Sequence, residues 1–507
     1  MSATAGVEAR RPEAPGAREL APVAWGSVAV IAAVKVGFQL VTAGLYGPHR
    51  DEFYYLDGGY HLAWGYVDHP PLVPVLYRLS AAVFGHTVPA LHVLPAFIGA
   101  VYVVLGALLA REFGGRRAEQ VLAGLIGAFG PLYLTTSHFL STVSLDLVAW
   151  GLASLLVVRM LRTGDPRWWL AIGAVCGVGL LNKWTMAFWI LGMVVGLVAT
   201  PQRRMLASWW AAAGAVIAGA CVAPNLVWEA QHGWATLEFL RHIRAGNAPS
   251  DRTQFLPLQL VIVTLGGTLV WGTGLYALWR RREWHAQRWL GVGYVTLFVV
   301  LFVLGGKGYY LGSWYLPLVA LGAVVIERSW SRRAYLALSC VVVVLGIVFA
   351  PVFTPVLPES VLTSTNIPNL NKDLGGMLGW HHIVDVVAHS FHELPRTDQA
   401  RAVVLTQDYS EAGAINFWGP ALGLPHAISG HNSYWLWGYG HPRGGPVLAV
   451  GIAGSVLRRY WSQVERVATL GADGRPIDPQ EHGAPIWICR DQHAPWAVIW
   501  PHLRHYD

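Results

Sequence analysis

"LYGPHRDEFYYLDGGYHLAWGYVDHPPLVPVLYRL", residues 45–79, places Asp51, Glu52, Asp57 and Asp68 close together between apolar neighbours. The whole chain is 54% hydrophobic and only 13% charged, so a group of four acids stands out from its surroundings. Ionisable side chains near hydrocarbon are costly, and they usually face a cavity or a partner. The segment is therefore the first candidate for a functional site.

Long apolar runs surround this segment and are typical of a helical membrane protein, as is the mean hydropathy of +0.42 over 507 residues. We predict about eleven transmembrane helices, at residues 23–46, 88–110, 120–136, 143–161, 168–182, 185–200, 208–228, 256–279, 289–305, 310–326 and 333–351. Residues 1–20 are polar and lack a cleavable apolar core, which predicts a disordered cytoplasmic tail.

The arginines predict the orientation in the cell membrane, because short cytoplasmic loops retain Lys and Arg. "REFGGRR", "RMLRTGDPR", "PQRRM", "RRREWHAQR" and "ERSWSRR" follow the second, fourth, sixth, eighth and tenth predicted spans. The loops at 47–87 and 229–255, and the chain beyond 351, are then extracytoplasmic. Arginines against anionic membrane lipids account for the net charge of +7, so no nucleic-acid partner is predicted.

Residues 352–507 differ from the rest, since short apolar runs such as "RAVVLT" and "APIWICR" alternate with Gly and Pro turns. This pattern predicts a soluble extracytoplasmic α/β domain. The predicted fold is thus an all-α polytopic membrane domain at 21–351 followed by that domain. The four cysteines form no pattern typical of a disulfide framework or a CxxC metal site.

Three more ionisable residues lie at predicted span ends: Asp146 starts the fourth, Lys183 ends the fifth and Lys307 ends the ninth. The predicted orientation brings all three to the outer leaflet, level with the acidic loop. The alternative is that each charge caps a helix or extends to the interface. Adjacent acids such as Asp51 and Glu52 are expected to raise one another's pKa.

A carboxylate can take a proton from a hydroxyl or amine, and lysines can stabilise a departing phosphate whose lipid tail stays in the bilayer. These groups therefore favour transfer from a lipid phosphate. No nucleophile elbow, Walker loop or dinucleotide fingerprint is found.

The segment "RDEFYYLDGGYHLAWGYVDHPPL" resembles the first exported loop of family 39 type glycosyltransferases of the GT-C fold, in which an Asp-Glu pair precedes a Pro-Pro-Leu. That group includes protein O-mannosyltransferases, the aminoarabinose transferase of lipid A and bacterial relatives. Further segments are similar to its bacterial branch: "PNLVWEAQHGWATLEFL", "GKGYYLGSWYLPLVALGA", "YSEAGAINFWG" and "SGHNSYWLWG".

The resemblance implies that Asp51 is the general base, that Glu52 orients substrate or base, and that Asp68 is the acid before the Pro-Pro pair. The aminoarabinose enzymes carry cations, thought to hold the donor phosphate, where this chain has Tyr54 and His69. We expect Lys183, Lys307 or a protonated His69 to replace those cations, and we count Tyr54 and Asp146 among the substrate-binding candidates.

Other candidates have a structural alternative. Tyr309 and Tyr310, beside Lys307, are substrate-binding candidates, but with Trp314 and Tyr315 they also fit an interfacial aromatic belt. Trp435, Trp437 and Asn432 could contact a sugar or form part of a domain core. No metal site is predicted, although the set Asp51, Glu52, Asp68 and His69 could bind a divalent metal.

The predicted function is that of an inverting glycosyltransferase. It would move a sugar from a polyprenyl-phosphate donor to an extracytoplasmic lipid, glycan or protein acceptor at the membrane. The alternative is a transporter or flippase of a lipid-linked sugar, which would need polar groups on both sides of the midplane or paired broken helices. An inert scaffold is a third possibility, and it predicts little effect of changing Asp51.

Overall fold

The computed structural model describes residues 20–506, except for the side chains of 244–251. The predicted N-terminal tail, apart from Leu20, lies outside the described residues, as does residue 507.

The first part of the chain is helical. Its helices are α1 (Trp25–Thr42), α2 (Arg50–Tyr60), α3 (Leu72–Phe84), α4 (Val88–Leu91), α5 (Val93–Glu112), α6 (Arg117–Phe129), α7 (Pro131–Thr135) and α8 (Thr142–Thr163). They continue with α9 (Trp168–Asn182), α10 (Met186–Val198), α11 (Trp209–Gln231), α12 (Ala235–Val261), α13 (Leu265–Arg280), α14 (Arg288–Leu304), α15 (Tyr315–Ser329) and α16 (Arg332–Phe353). Short 3₁₀ helices lie at Pro201–Ala207, Arg282–Gln287 and Gly308–Trp314.

Each of the eleven predicted spans contains a helix. Within residues 20–506, seven helices are long and apolar enough to cross a membrane, and nine result if two bent pairs each count as one span. The remaining predicted spans, 120–136 and 168–182, contain α6 and α9, which have only 13 and 15 residues. A perpendicular span needs about 20 residues, so these two are shorter than a full crossing.

One predicted span, 256–279, is broken. Its first six residues belong to α12, and the chain turns by 95° before α13 begins. The break includes Thr264, whose φ of 69° is rare for a β-branched residue and whose hydroxyl accepts a hydrogen bond from Gly267. The segment 229–255, predicted as an exported loop, is also mostly helical, because it contains the end of α11 and most of α12.

The centre of the helical bundle is α15, in which every residue from Tyr315 to Ile326 is buried. It packs closely against α13: a Cβ on Gly322 would lie 1.8 Å from the carbonyl oxygen of Val270. Small residues at such crossings allow two helix backbones to approach. α1, α11 and α16 are the least buried spans, and their exposed apolar faces are those expected to contact lipid.

The second part of the chain mixes short helices and strands. Its elements are α17 (Glu359–Thr363), α18 (Ile367–Leu370), α19 (Lys372–Gly375), α20 (Trp380–His392), α21 (Arg396–Gln399), β1 (Val403–Thr406), α22 (Tyr409–Trp418), a 3₁₀ helix (Gly419–Leu422) and β2 (Ala427–Ser429). α23 (Asn432–Trp437), β3 (Val447–Val450), α24 (Gly454–Leu457), β4 (Trp461–Thr469), β5 (Pro485–Gln492) and α25 (Trp496–Leu503) follow. The two quoted apolar runs are the strands β1 and β5.

The five strands form one sheet in the order β2-β1-β3-β5-β4. β1 is parallel to β2 and β3, with Val404 opposite both Ala427 and Leu448, whereas β5 is antiparallel to β3 and β4. The carboxyl ends of the parallel strands β1 and β2 lead directly into α22 and towards α23. Ligands of α/β sheets commonly lie at that edge, so the residues of these two connections are candidates for the functional site.

The α/β part packs on α2. The ring of Phe53 lies 5.4 Å from that of Trp418 and 5.7 Å from that of Trp380, and both Phe53 and Tyr54 belong to the hydrophobic core of the α/β part. α22 approaches α2 closely at Gly413, where a Cβ would lie 2.5 Å from the Cβ of Phe53. The predicted exported loop 47–87 therefore contains helices, and one of them, α2, is held between the bundle and the α/β part.

Candidate active site

The site is organised by the first turn of α2. His49 caps this helix: its Nδ1 accepts from the Asp51 amide at 3.2 Å, and its own amide donates to Glu52 Oε2 at 2.9 Å. Acidic residues are favoured at a helix N-terminus because the helix dipole is positive there. Successive helical side chains differ by about 100° in direction. Asp51 and Glu52 therefore face different surroundings.

Glu52 is completely buried and fully bonded. Its carboxylate accepts hydrogen bonds from the Tyr77 hydroxyl at 2.6 Å and from His92 Nε2 at 3.0 Å, as well as from the His49 amide. Burial alone would raise the pKa of Glu52, but the charge and hydrogen bond of His92, with the other two donors, hold that pKa below its ordinary value. The expectation that the adjacent acids raise one another's pKa is therefore wrong for Glu52.

Asp51 has a more open environment, since 33% of its side chain is exposed. Its Oδ1 accepts a hydrogen bond from the Tyr409 hydroxyl at 2.8 Å. Its Oδ2 lies 3.8 Å from His49 Nδ1, which is beyond hydrogen-bond distance. One carboxylate oxygen is thus held while the other is available, which is the state required of a general base.

Asp68 is joined to α2 through Tyr54. The buried Tyr54 hydroxyl donates to Asp68 Oδ1 at 2.7 Å and lies 2.7 Å from the Ser433 hydroxyl oxygen. Its ring stacks on Tyr409, with centroids 4.8 Å apart. Tyr54 therefore connects Asp68 to the α/β part.

His69 is 3% exposed, and its Nδ1 lies 2.9 Å from the carbonyl oxygen of Pro70. Its Nε2 is buried without a hydrogen-bond partner and lies 3.9 Å from Asp68 Oδ1. A buried polar nitrogen without a partner is uncommon in a folded protein. His69 therefore remains a candidate for a ligand contact.

Both predicted lysines lie near the ring of Tyr309, and Lys183 also lies near the ring of Tyr310. Lys183 Nζ lies 5.0 Å from the ring centre of Tyr310 and 5.6 Å from that of Tyr309, and Lys307 Nζ lies 5.9 Å from that of Tyr309. Within the part of the chain that the structure describes, neither ammonium has a carboxylate within 4 Å. The pair is therefore available to bind an anion.

Asp146 is buried in the first turns of α8 and accepts a hydrogen bond from the Thr185 hydroxyl at 2.8 Å. Asp146, Asp51 and Lys307 are all close enough to Lys183 to interact with it electrostatically. Asp51 and the three ionisable residues predicted at separate span ends, Asp146, Lys183 and Lys307, are thus brought to one site.

The aromatic candidates separate into two groups. Trp314 and Tyr315 are fully buried in the helical core, so the interpretation of these two as an interfacial belt is wrong. They lie where the 3₁₀ helix Gly308–Trp314 leads into the central helix α15, which explains their burial. Trp437 stacks on His61 at 4.4 Å, and the Trp435 indole donates to the Trp500 carbonyl at 3.1 Å. Trp435 is thus held by packing within the α/β part.

The possible metal set is not assembled. Glu52 directs its carboxylate to Tyr77 and His92 and away from Asp68 and His69. Over the described residues, no group of three or more His, Cys, Asp or Glu side chains is arranged to hold a metal ion.

Four residues bond directly to the predicted site residues although the sequence did not predict them: Tyr77, His92, Tyr409 and Ser433. Tyr409 and Ser433 lie in the segments "YSEAGAINFWG" and "SGHNSYWLWG". The similarity of these segments to the bacterial branch is the sequence signal that could have identified the two residues. Tyr77 and His92 lie in apolar stretches, where a single polar residue does not indicate its partner.

Comparison with known families supports the resemblance seen in the sequence. The family described as dolichyl-phosphate-mannose-protein mannosyltransferase matches residues 68–228. The undecaprenyl phosphate-α-4-amino-4-deoxy-L-arabinose arabinosyl transferase of Pseudomonas aeruginosa (strain UCBPP-PA14) is 29% identical over 245 residues. That match covers 45% of this chain and 42% of the relative, so it spans less than half the length of the curated protein.

Solved structures share the fold over most of the chain. ArnT from Cupriavidus metallidurans, bound to undecaprenyl phosphate, has a TM-score of 0.58 and 16% identity, covering 92% of this chain and 98% of that one. The arabinofuranosyltransferase AftD from Mycobacteria has a TM-score of 0.53 and 14% identity, covering 94% of this chain and 40% of that one. The predicted fold is confirmed: this is a multi-pass membrane protein of the GT-C fold with a smaller α/β part.

Proposed function

We propose that the protein is an inverting glycosyltransferase that uses a polyprenyl-phosphate sugar donor and acts at the extracytoplasmic face of the cell membrane. The GT-C fold and the similarity to a mannosyltransferase family and to an arabinosyl transferase support this reaction class. The ArnT structure contains undecaprenyl phosphate, which supports a carrier of the same chemical class here. The arginine distribution described above supports the orientation.

The observation that carries the proposal is the difference between the two adjacent acids. Glu52 accepts hydrogen bonds from three donors and is not exposed, whereas Asp51 accepts from the Tyr409 hydroxyl and has a side chain that is 33% exposed. Only Asp51 can accept a proton without losing a buried ion pair. We therefore assign Asp51 as the general base and Glu52 as a residue that orients the first turn of α2.

In the proposed reaction, the Asp51 carboxylate takes a proton from an acceptor hydroxyl or amine. The acceptor oxygen or nitrogen forms a bond to the anomeric carbon of the sugar as the bond from that carbon to the phosphate oxygen breaks. The leaving polyprenyl phosphate keeps the electron pair, and Lys183 and Lys307 stabilise its charge. Attack opposite the leaving group inverts the anomeric configuration.

The remaining candidate residues have supporting roles in this proposal. Asp68, held by Tyr54, and the free Nε2 of His69 would contact the substrate beside Asp51. Tyr309 and Tyr310 would hold the lysines over the phosphate. Asp146 would interact with Lys183 from the bundle side.

A deletion strain tests the activity. Profiling its lipid-linked sugars and envelope glycans should show one lipid-linked sugar that accumulates and one product that disappears, which would name the donor and the acceptor. The wild-type gene should restore the product. Asp51→Asn should restore almost none, although the protein is inserted normally and binds undecaprenyl phosphate.

The competing functions predict different outcomes. A scaffold would leave Asp51→Asn fully able to restore the product. A flippase would change the side of the membrane on which the lipid-linked sugar is found, without any transfer by the purified protein. An Asp51→Asn enzyme that transfers sugar within a few fold of the wild-type rate would refute the proposed mechanism.

A further inference from the structure

The α/β part reaches into the site through the residues that follow its parallel strands. Tyr409 is the first residue of α22, three positions beyond the end of β1, and its hydroxyl donates to Asp51 Oδ1 at 2.8 Å. Ser433, near the start of α23 beyond β2, contacts the Tyr54 hydroxyl that bonds to Asp68. The α/β part thus bonds directly to Asp51 and is linked to Asp68 through Tyr54.

Tyr409 is held firmly from several sides. Asp408 caps α22 by accepting from the Ser410 amide at 2.6 Å, which fixes the start of the helix. The Tyr409 ring contacts the rings of Tyr54 and His431, each at a centroid distance of 4.8 Å, and its amide lies 3.3 Å from His431 Nδ1. The direction of its hydroxyl is therefore set by the fold of the α/β part.

The protonation state of Tyr409 suits a donor. Burial and the negative charge of Asp51 raise the pKa of Tyr409 well above its ordinary value, so the phenol keeps its proton. Because this hydrogen bond occupies Oδ1, Asp51 meets an incoming acceptor with Oδ2. A bond of this kind restricts the rotation of a partly exposed carboxylate, and proton transfer depends strongly on such alignment.

We propose that Tyr409 is a positioning residue, through which the α/β part holds the Asp51 carboxylate in the orientation needed for transfer. The inference rests on the proposed role of Asp51 as general base. A second tyrosine provides the matched control: the Tyr434 hydroxyl also crosses to α2, but it donates to Asp57, which also accepts from Asn416 at 2.7 Å. Tyr434 therefore contributes to docking without touching Asp51.

The experiment compares full-length Tyr409→Phe and Tyr434→Phe, each of which loses a single hydroxyl. Lipid extract from the deletion strain, in which unused donor accumulates, supplies the donor, and membranes of that strain supply the acceptor. We expect Tyr409→Phe to lower the maximal rate by about 10- to 100-fold, the scale of a small misalignment of a reacting group. The half-saturating amount of extract and the affinity for undecaprenyl phosphate should change less than about twofold. Tyr434→Phe should keep its maximal rate.

Several results would overturn the inference. A Tyr409→Phe rate within about twofold of wild type, with Asp51→Asn inactive, would reject the positioning role and leave the proposed function standing. Equal losses of rate and thermal stability in both tyrosine variants would assign Tyr409 to docking alone. An active Asp51→Asn protein would reject the proposed function itself. If Tyr409→Phe does not accumulate, 3,5-difluorotyrosine at position 409 keeps the hydroxyl but alters its donor strength, and an unchanged maximal rate would again reject the inference.

Discussion

Glu52 provides the most direct test of the distinction between the two adjacent acids. We consider two substitutions, Glu52→Ala and Glu52→Gln. The alanine variant removes the acceptor of three hydrogen bonds and leaves a completely buried His92 without its carboxylate. The glutamine variant keeps the volume and one acceptor oxygen but places an amide N–H2 opposite groups that donate.

The size of each effect follows from the neighbours. Removing one member of a buried ion pair costs about 3–5 kcal/mol. The Tyr77 hydroxyl can donate instead to the Leu140 carbonyl at 2.8 Å, and His92 Nδ1 keeps its contact to the Ala43 carbonyl at 2.5 Å. We therefore expect a loss near 3 kcal/mol for Glu52→Ala, the lower end of that range, and roughly 1–3 kcal/mol for Glu52→Gln.

The assay is thermal unfolding of the purified full chain in detergent, followed by tryptophan fluorescence, together with sugar transfer. Glu112 offers a matched control, because it is also a buried carboxylate and pairs with Arg159 and Arg162 at 2.8 and 2.7 Å, at the other end of α5. Glu112→Gln should lower the unfolding temperature without affecting transfer by the folded enzyme. Glu52→Gln should lower both, but its loss of transfer should be smaller than that of Asp51→Asn.

Two results would refute this reasoning. A Glu52→Ala protein as stable as wild type would show that the buried network contributes little. A Glu52→Gln protein of normal stability that is as inactive as Asp51→Asn would assign the chemistry to Glu52. The pH dependence adds a check: because the pKa of Glu52 is lowered on folding, its contribution to stability is present above the ordinary carboxyl pKa and is lost as the pH falls through the lowered value.

Further predictions concern the donor, the α/β part and the topology. Lys307→Ala should weaken binding of undecaprenyl phosphate while Lys307→Arg keeps part of it, and unchanged affinity in both would reject the assignment of Lys307 to the phosphate. Burial and the charge of Asp408 raise the pKa of Glu411 to about 7, beside the carboxyl of Glu481. Stability from this group is therefore present below the ordinary carboxyl pKa and is lost as the pH rises through about 7. Glu411→Gln should reduce the fall in unfolding temperature as the pH rises through about 7. A variant whose unfolding temperature falls as steeply as that of wild type would contradict this. In a cysteine-free background, impermeant thiol reagents should label a cysteine at Ala472 from outside the cell and one at Ala286 only after lysis; the reverse pattern would reject the topology.

Properties that depend on local composition could be predicted from the sequence. The bilayer selects apolar runs of sufficient length, so each of the eleven predicted spans contains a helix. The change to short alternating runs after residue 351 likewise predicted the strands of the α/β part, such as β1 and β5. The convergence of Asp51, Lys183 and Lys307 was also predicted, because the ends of alternate spans and the loops on one side of the bilayer share one level of the membrane.

Only the tertiary structure decided what each of these residues contacts. Glu52 and Asp51 are neighbours in the sequence, but burial against Tyr77 and His92 makes one a structural group and leaves the other open. Tyr409 lies 358 positions from Asp51, and no local pattern specifies a pairing over that distance. Hydropathy and helical periodicity are short-range properties, whereas a hydrogen bond between distant segments depends on how all the elements between them pack.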